Sequence, residues 1–326
     1  MRRLGRICAP LLLLCAVHGL AQTSPILVGL GYHPASVIMV APGQIIRLDI
    51  AAPRTVLPLN PATNTREVRA TSVPLPDSLA GVSVTLRQTF YVDHAQTGQS
   101  SFKLPLIAIE QRSVCSDLGS NSPECFRSTI TAQVPFELSF LTAASSPPTD
   151  IVISDGGVDS PAFVVGAVSD AIHVVTTCDR GESGCASIVA HADGSLITPE
   201  SPARQGEVVV IYAWGLGSTS PAVKTGELTP APAPVLGPPG PPGDIVVEFD
   251  FRPNAGPSNP ESIASTATAY LTPGQVGLYQ INVQLPSSFP HAEGCSGITG
   301  VFSNLTINIR RSASFDGAAI CVQPVL

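Results

Sequence analysis

GLYQINVQLP, Gly277 to Pro286, decides how the rest of the chain is read: Tyr279, Ile281, Val283 and Leu285 alternate with Gln280, Asn282 and Gln284. Side chains of an extended strand point to opposite faces in turn, so this period of two predicts a strand with one apolar and one polar face. TITAQVPFEL, Thr129 to Leu138, repeats the design less perfectly: Ile130, Ala132 and Val134 alternate before Pro135 as the four apolar residues do before Pro286. The polar residues Gln280, Asn282 and Gln284 are then either a contact face or the wetter side of a sheet whose module occurs twice.

Short β-like pieces separated by Pro, Gly, Ser and Asn fill the chain. The first half predicts strands over Ser36–Val40, Ile45–Ile50, Val82–Tyr91, Leu104–Ile109, Ser128–Val134 and Glu137–Thr142. After the SSPPTD break at Ser145 to Asp150 come Ile151–Ser154, Ala162–Val165, His173–Thr176, Ser187–Ala190 and Glu207–Trp214. Ile245–Phe251, Ala264–Leu271, Gly277–Leu285 and Leu305–Arg310 complete the set. HADGS, His191 to Ser195, carries the Asp-Gly pair of a hairpin turn. No long interval shows helical apolar spacing, so the expected fold class is all-β, with two immunoglobulin-like β-sandwich domains. The expected domains are a signal peptide at 1–21, a divergent N-terminal sandwich at 22–150 and a C-terminal sandwich at 151–326. Residues 151–165 read equally as the last strands of the first module or as a bridge into the second.

The opening MRRLGRICAPLLLLCAVHGLAQ places Arg2, Arg3 and Arg6 before the apolar run Ala9 to Leu20, with Gly19 and Ala21 suited to a cut after Ala21. The run is too short to span a bilayer and reads as a secretory leader. LLLC at Leu12 to Cys15 is the lipoprotein alternative, and leucine directly before Cys15 fits a lipidation box poorly. No later segment has the length of a transmembrane helix, so the product is expected outside the cell or at its surface. Losing the three arginines takes the formal charge from −7 to −10, which argues against a nucleic-acid partner.

Six cysteines remain after the leader, and fifteen pairings are open to them. In an exported chain an even count favours disulfides. The sequential pairs Cys115–Cys125, Cys178–Cys185 and Cys295–Cys321 are preferred, because CSDLGSNSPEC and CDRGESGC are polar excursions between apolar segments. No CxxC or histidine pair completes a tetrahedral metal set.

Taken together, ADGSLITPESPARQGEVVVIYAWGLGSTSPAVKTGELTP (Ala192 to Pro230) and LTPGQVGLYQINVQLP (Leu271 to Pro286) resemble the C-terminal domain repeated in exported proteins of Acidobacteria, the Solibacter type. APGQ, LAGVSVTL and TAQVPFEL extend the similarity through the first half. The resemblance implies immunoglobulin-like folding and structural or interaction work, and carries over no catalytic residue. The cysteine loops and the PGPPG insertion are additions to the family pattern.

Trp214 is either a ligand platform or a strand-end cover beside the turn glycines Gly215 and Gly217. There is no GxSxG elbow, and His33, His94, His173, His191 and His291 show no recognisable serine and acid partners. Asp155, Asp159, Asp179 and Glu182 offer oxygen ligands to calcium without matching an EF-hand loop. The proline-rich Pro230–Gly243 stretch reads as an exposed loop able to contact a partner. The expected function is that of a secreted or cell-surface structural or adhesive protein, not an enzyme, with no catalytic residue, cofactor or metal. Its expected partner is an extracellular or envelope protein, and the alternative is a carbohydrate-recognition module. Expressed with its leader in a secreting host, the exported product should begin at Gln22. N-terminal sequencing checks this, and a start at Cys15 would select the lipoprotein alternative.

Overall fold

A computed structural model describes residues 26–29, 39–115, 122–140, 147–180, 185–237, 245–249, 252–253, 263–288, 302–303, 305–309, 312–314 and 318–323. In chain order the first half contributes β1 (Ile26–Gly29), β2 (Met39–Val40), β3 (Ile45–Ala51), β4 (Arg66–Arg69), β5 (Val82–Val92), β6 (Ala95–Lys103), β7 (Leu106–Ser113), β8 (Phe126–Gln133), β9 (Thr149–Asp155), β10 (Val158–Asp159) and β11 (Phe163–Ala167). The second contributes β12 (His173–Val174), β13 (Val189–His191), β14 (Val208–Trp214), β15 (Thr219–Ser220), β16 (Val235–Leu236), β17 (Ile245–Phe249), β18 (Arg252–Pro253), β19 (Ile263–Leu271), β20 (Tyr279–Gln284), β21 (Phe302–Ser303), β22 (Thr306–Ile309) and β23 (Ser312–Ala313). The architecture is mostly β-sheet, in several sheets whose pairings are antiparallel apart from a short parallel contact of β2 with β11.

One sheet runs β1-β3-β8-β7-β4 and a second runs β2-β11-β9-β5-β6. Alternation decides which side chains meet between them. Leu48, Ile50, Ile130 and Ala132 from the first join Val84, Leu86, Ile151 and Ile153 from the second in one buried cluster. The strands at 151–167, open between two readings in the sequence, supply Ile151, Ile153, Val165 and Ala167 to this first core, which therefore runs past residue 150. The second core begins at Ile172 and gathers around the sheet β12-β14-β20-β19-β17-β22-β23. β20 lies between β14 and β19, and its Tyr279, Ile281 and Val283 are all buried. β8 holds the same position between β3 and β7, with Ile130 and Ala132 inward.

One predicted feature is overturned and a second is met only in part. Glu137–Thr142 is not a strand over its described residues 137–140, because its backbone donors are engaged elsewhere. Leu138 N–H donates to the Pro135 carbonyl and Ser139 N–H to Gln88 Oε1, leaving no ladder to form. The Pro230–Gly243 stretch is not simply an exposed loop either. Within it β16 pairs with β15 and β19, and Pro234 and Gly237 are buried; 238–243 lie outside the described residues. β4 and β6 escaped the sequence reading, since REVR and AQTGQSSFK carry no apolar alternation. β6 is an edge strand joined to β5 through Asp93 and His94, both at positive φ as a tight hairpin requires.

The quoted turn motifs meet where the two halves touch. Gly277 of the LTPGQVGLYQ motif has φ +63°, and a Cβ there would lie 2.6 Å from the Gly43 carbonyl oxygen of APGQ. Gly215 of the AWGLGS motif, at φ +76°, would place one 2.1 Å from the Ala171 carbonyl oxygen. AVKTGELTP closes the same seam: Gly226 N–H donates to Gln133 Oε1 at 2.7 Å, and Phe136 N–H donates to Thr225 Oγ1 at 2.9 Å. Gly215→Ala and Gly277→Ala should each lower stability by at least about 2 kcal/mol, the combined cost of left-handed backbone and a blocked approach. Gly194→Ala, also at positive φ but with nothing within 4 Å, should lose only about 1 kcal/mol. Urea unfolding of the three variants checks the difference.

Candidate functional site

The amide N–H groups of the β20 polar stripe are bonded to neighbouring segments, while Asn282 Oδ1 is buried without a partner among the described residues. Gln280 and Asn282 donate to the Tyr270 hydroxyl at 2.6 and 2.9 Å, and Gln284 donates to the Gly206 carbonyl at 3.1 Å. These amides tie β20 to its neighbours, so the wetter-sheet reading of the opening motif prevails over a free contact face.

Trp214 stands opposite His173 in the β12–β14 pairing and stacks on its ring, with centroids 5.5 Å apart. His173 is 3% exposed, and its Nε2 lies 2.8 Å from Asp179 Oδ2. The same carboxylate oxygen accepts the Thr176 N–H and hydroxyl at 2.7 and 3.0 Å. Burial pushes the Asp179 carboxyl up, but the His173 ring and the Thr176 donors outweigh it and hold the carboxyl below its ordinary range. Asp179 thus anchors the start of the Cys178–Cys185 loop instead of facing a cation.

The other calcium candidates divide. Asp155 is fully buried and accepts the Arg54 N–H at 2.6 Å, the Thr55 N–H at 3.1 Å and the Thr55 hydroxyl at 2.5 Å. Those donors occupy the carboxylate, which holds the 54–55 turn against β9. Asp159 is exposed on β10, and Glu182 lies outside the described residues. Among the described residues no three His, Cys, Asp or Glu side chains converge as metal ligands. Cys115–Cys125 and Cys178–Cys185 are bonded as expected; Cys321 is also in a disulfide, and Cys295 lies outside the described residues.

His191 corrects the expectation that no histidine meets both a serine and an acid. Its Nδ1 lies 2.5 Å from Glu207 Oε1, and its Nε2 lies 3.2 Å from both Ser201 Oγ and the Ser201 carbonyl oxygen. Distance alone resembles a nucleophile, base and acid relay. The Glu207 carboxylate faces Nδ1, and Nε2 stands equally far from the Ser201 hydroxyl and the Ser201 carbonyl oxygen. The Ser201 N–H is itself turned back to Thr198. The cluster clamps the 191–207 connection, with Glu207 Oε2 accepting the Arg204 N–H at 2.8 Å. His94 sits exposed in the β5–β6 turn, and His33 and His291 lie outside the described residues.

The feature that sequence reasoning missed lies along the β3-β8-β7-β4 side of the first sheet. An open groove of about 880 Å³ is lined by Arg47, Asp49, Arg66, Arg69, Glu110 and Arg112, with Asn64, Thr65 and Thr129 beside them. These residues come from β3, β4, β7 and β8 and from the loop before β4, so no local motif marks them. The only signal was the charged, outward-alternating positions of strands 45–51 and 106–113. Arg47 Nη1 reaches across to the Cys178 carbonyl at 3.4 Å, and Arg47 Nη2 lies 3.7 Å from Glu110. The ring of Phe126 is buried, with the Arg66 guanidinium 5.0 Å above it.

No family model matches the chain, and no curated protein matches it.

The clamp at His191 sets a pH dependence. The Glu207 hydrogen bond raises the imidazole above its ordinary value against the opposing effect of burial, helped by the Ser201 carbonyl and by the charges of Glu207 and Asp193. A raised folded value means the stabilisation is complete below the ordinary histidine range and is lost as pH rises through the folded value. His191→Gln should flatten that part of the stability profile, and Glu207→Gln should move the His191 titration down. Chemical denaturation across pH, with NMR titration of the ring protons, measures both.

Proposed function

We propose that this chain is a secreted or cell-surface protein of two immunoglobulin-like β-sandwiches, related to the Solibacter-type exported domain, whose role is structural or adhesive and not catalytic. Its working contact is with an extracellular or envelope protein. The leader-like N-terminus and the local disulfides support export. The two apolar cores support paired sandwiches. Among the described residues no helix is long and apolar enough to cross a membrane.

The observation that carries the contact reading is the contrast between the titratable side chains named above and the outer sheet face. Asp155, His173, Asp179, His191 and Glu207 are all engaged in holding turns and strand ends. The groove over β3, β8, β7 and β4 is instead broad, open and charged. A protein partner fits it better than a sugar, because glycan platforms present exposed rings. Trp214 is stacked on His173, Phe126 is covered, and Tyr91, at the far end of β5, is the aromatic among the exposed large hydrophobic residues.

The immobilised mature protein, incubated with detergent-extracted envelope proteins and in parallel with a panel of envelope glycans, should retain a protein saturably and no glycan. Retention of a glycan alone selects the carbohydrate-recognition reading. Turnover of an ester, peptide or glycan by the purified protein overturns the non-catalytic assignment.

A further inference from the structure

The outer face of the first sheet contains two like-charge pairs directly across neighbouring strands. Glu67 of β4 stands opposite Glu110 of β7, and Arg112 of β7 stands opposite Arg127 of β8. Like charges in this position repel. The acidic pair is neutralised within the fold: Arg69 bridges Glu67 and Glu110, and Arg47 also lies beside Glu110. The arginine pair has no such compensation. Both side chains are exposed, and neither makes a hydrogen bond or ion pair among the described residues.

The pair is also held in place. Arg112 precedes Cys115 by three residues and Arg127 follows Cys125 by two, and the disulfide closes the β7–β8 hairpin with its Cα atoms 5.0 Å apart. Val114 N–H donates to the Cys125 carbonyl at 2.8 Å, so ladder pairing continues up to the bond. Two arginine Cα atoms opposite one another in such a ladder stay about 5 Å apart. Two guanidinium forks projecting from that base match carboxylates, which they bind through paired charge-assisted hydrogen bonds.

We propose that Arg112 and Arg127 form a preorganised clamp for the carboxylates of an acidic, extended peptide segment on a partner protein, with the adjoining groove seating the rest of that segment. The assignment rests on the contact reading given above and names the chemistry of its partner. Charge complementarity selects the occupant. The chain as a whole is acidic, at −7, so an acidic segment is repelled elsewhere and drawn to an uncompensated cationic pair. The groove beside Arg112 adds the Asn64 amide and the hydroxyl oxygens of Thr65, Ser113 and Thr129, which can accept from a peptide N–H while bonded to Thr63, the Cys115 carbonyl and Asp49. It offers no open aromatic face for a sugar ring, since Phe126 is buried beneath Arg66.

The probe is an acetylated octaglutamate peptide, titrated at low ionic strength into the full mature protein with its disulfides intact. Saturable binding that weakens with added salt is expected. The double variant Arg112→Gln/Arg127→Gln should weaken it by about tenfold or more, the scale of losing two charge-assisted contacts. Lys224→Gln, at a cation 81% exposed elsewhere on the surface, should leave it unchanged. Relief of repulsion should leave the double variant's melting temperature equal to the parent's or higher. Unchanged affinity in the double variant, absence of saturable binding, or tighter binding of an oligogalacturonate than of octaglutamate overturns the proposal. A lowered melting temperature does so too, because it assigns the arginines a folding role. If octaglutamate fails while the envelope extraction still retains a protein, the contact reading stands and this site falls.

Discussion

Every second residue on β8 and β20 must enter a core while the backbone is hydrogen-bonded on both sides, and the rest of the molecule depends on that constraint. A shift of one residue in either strand would turn Ile130 and Ala132, or Tyr279, Ile281 and Val283, out of the interior. Proline immediately past the end of each alternation limits the ladder. Pro135 and Pro286 lack the N–H needed to extend it, and the chain turns away beyond them. The Tyr279 hydroxyl donates to the Gly217 carbonyl, so the buried end of β20 is also bonded to the glycine turn after β14.

With charged residues at 13% of the chain, loops cannot rely on surface ion pairs. Buried amides and carboxylates do that work. Gln88 exchanges both amide bonds with the backbone of Ser139, and Gln111 accepts from Leu57 N–H while donating to the Thr55 carbonyl and the Ser128 hydroxyl. Asp155 and Asp179 anchor turns in the same manner. A polar group removed from water must find partners, and here the partners are the backbone groups of connections that form no ladder. This is why residues whose types suggest metal or acid–base chemistry are occupied in holding turns.

The outer face of the first sheet obeys the opposite rule. Its charges alternate with core positions and remain within reach of water, so they are free to be arranged by neighbours across the sheet. Arg69 and Arg47 draw in the two glutamates. The pairing of β7 with β8 then sets Arg112 against Arg127 without a counter-ion beside them among the described residues. Sheet register alone creates this difference between a compensated and an uncompensated pair.

The sequence by itself determined the strand-rich fold class, most strand positions and the local cysteine pairs, because period-two alternation, turn residues and short Cys spacings are local properties. It missed β4 and β6, whose edge positions are stabilised by neighbours and not by their own patterns, and it misread Glu137–Thr142, where the Leu138 and Ser139 N–H groups bond to a turn partner and a distant one. Tertiary structure alone decided that β9 and β11 join the first core, that Gly277 packs on Gly43, and that His191 meets both Glu207 and Ser201. It also decided the candidate site. Arg112 and Arg127 are fifteen residues apart in the chain and become neighbours only through hairpin register, while the glutamates that absorb Arg69 come from separate strands. Burial periodicity can be read along one strand, whereas charge compensation depends on which strands lie side by side.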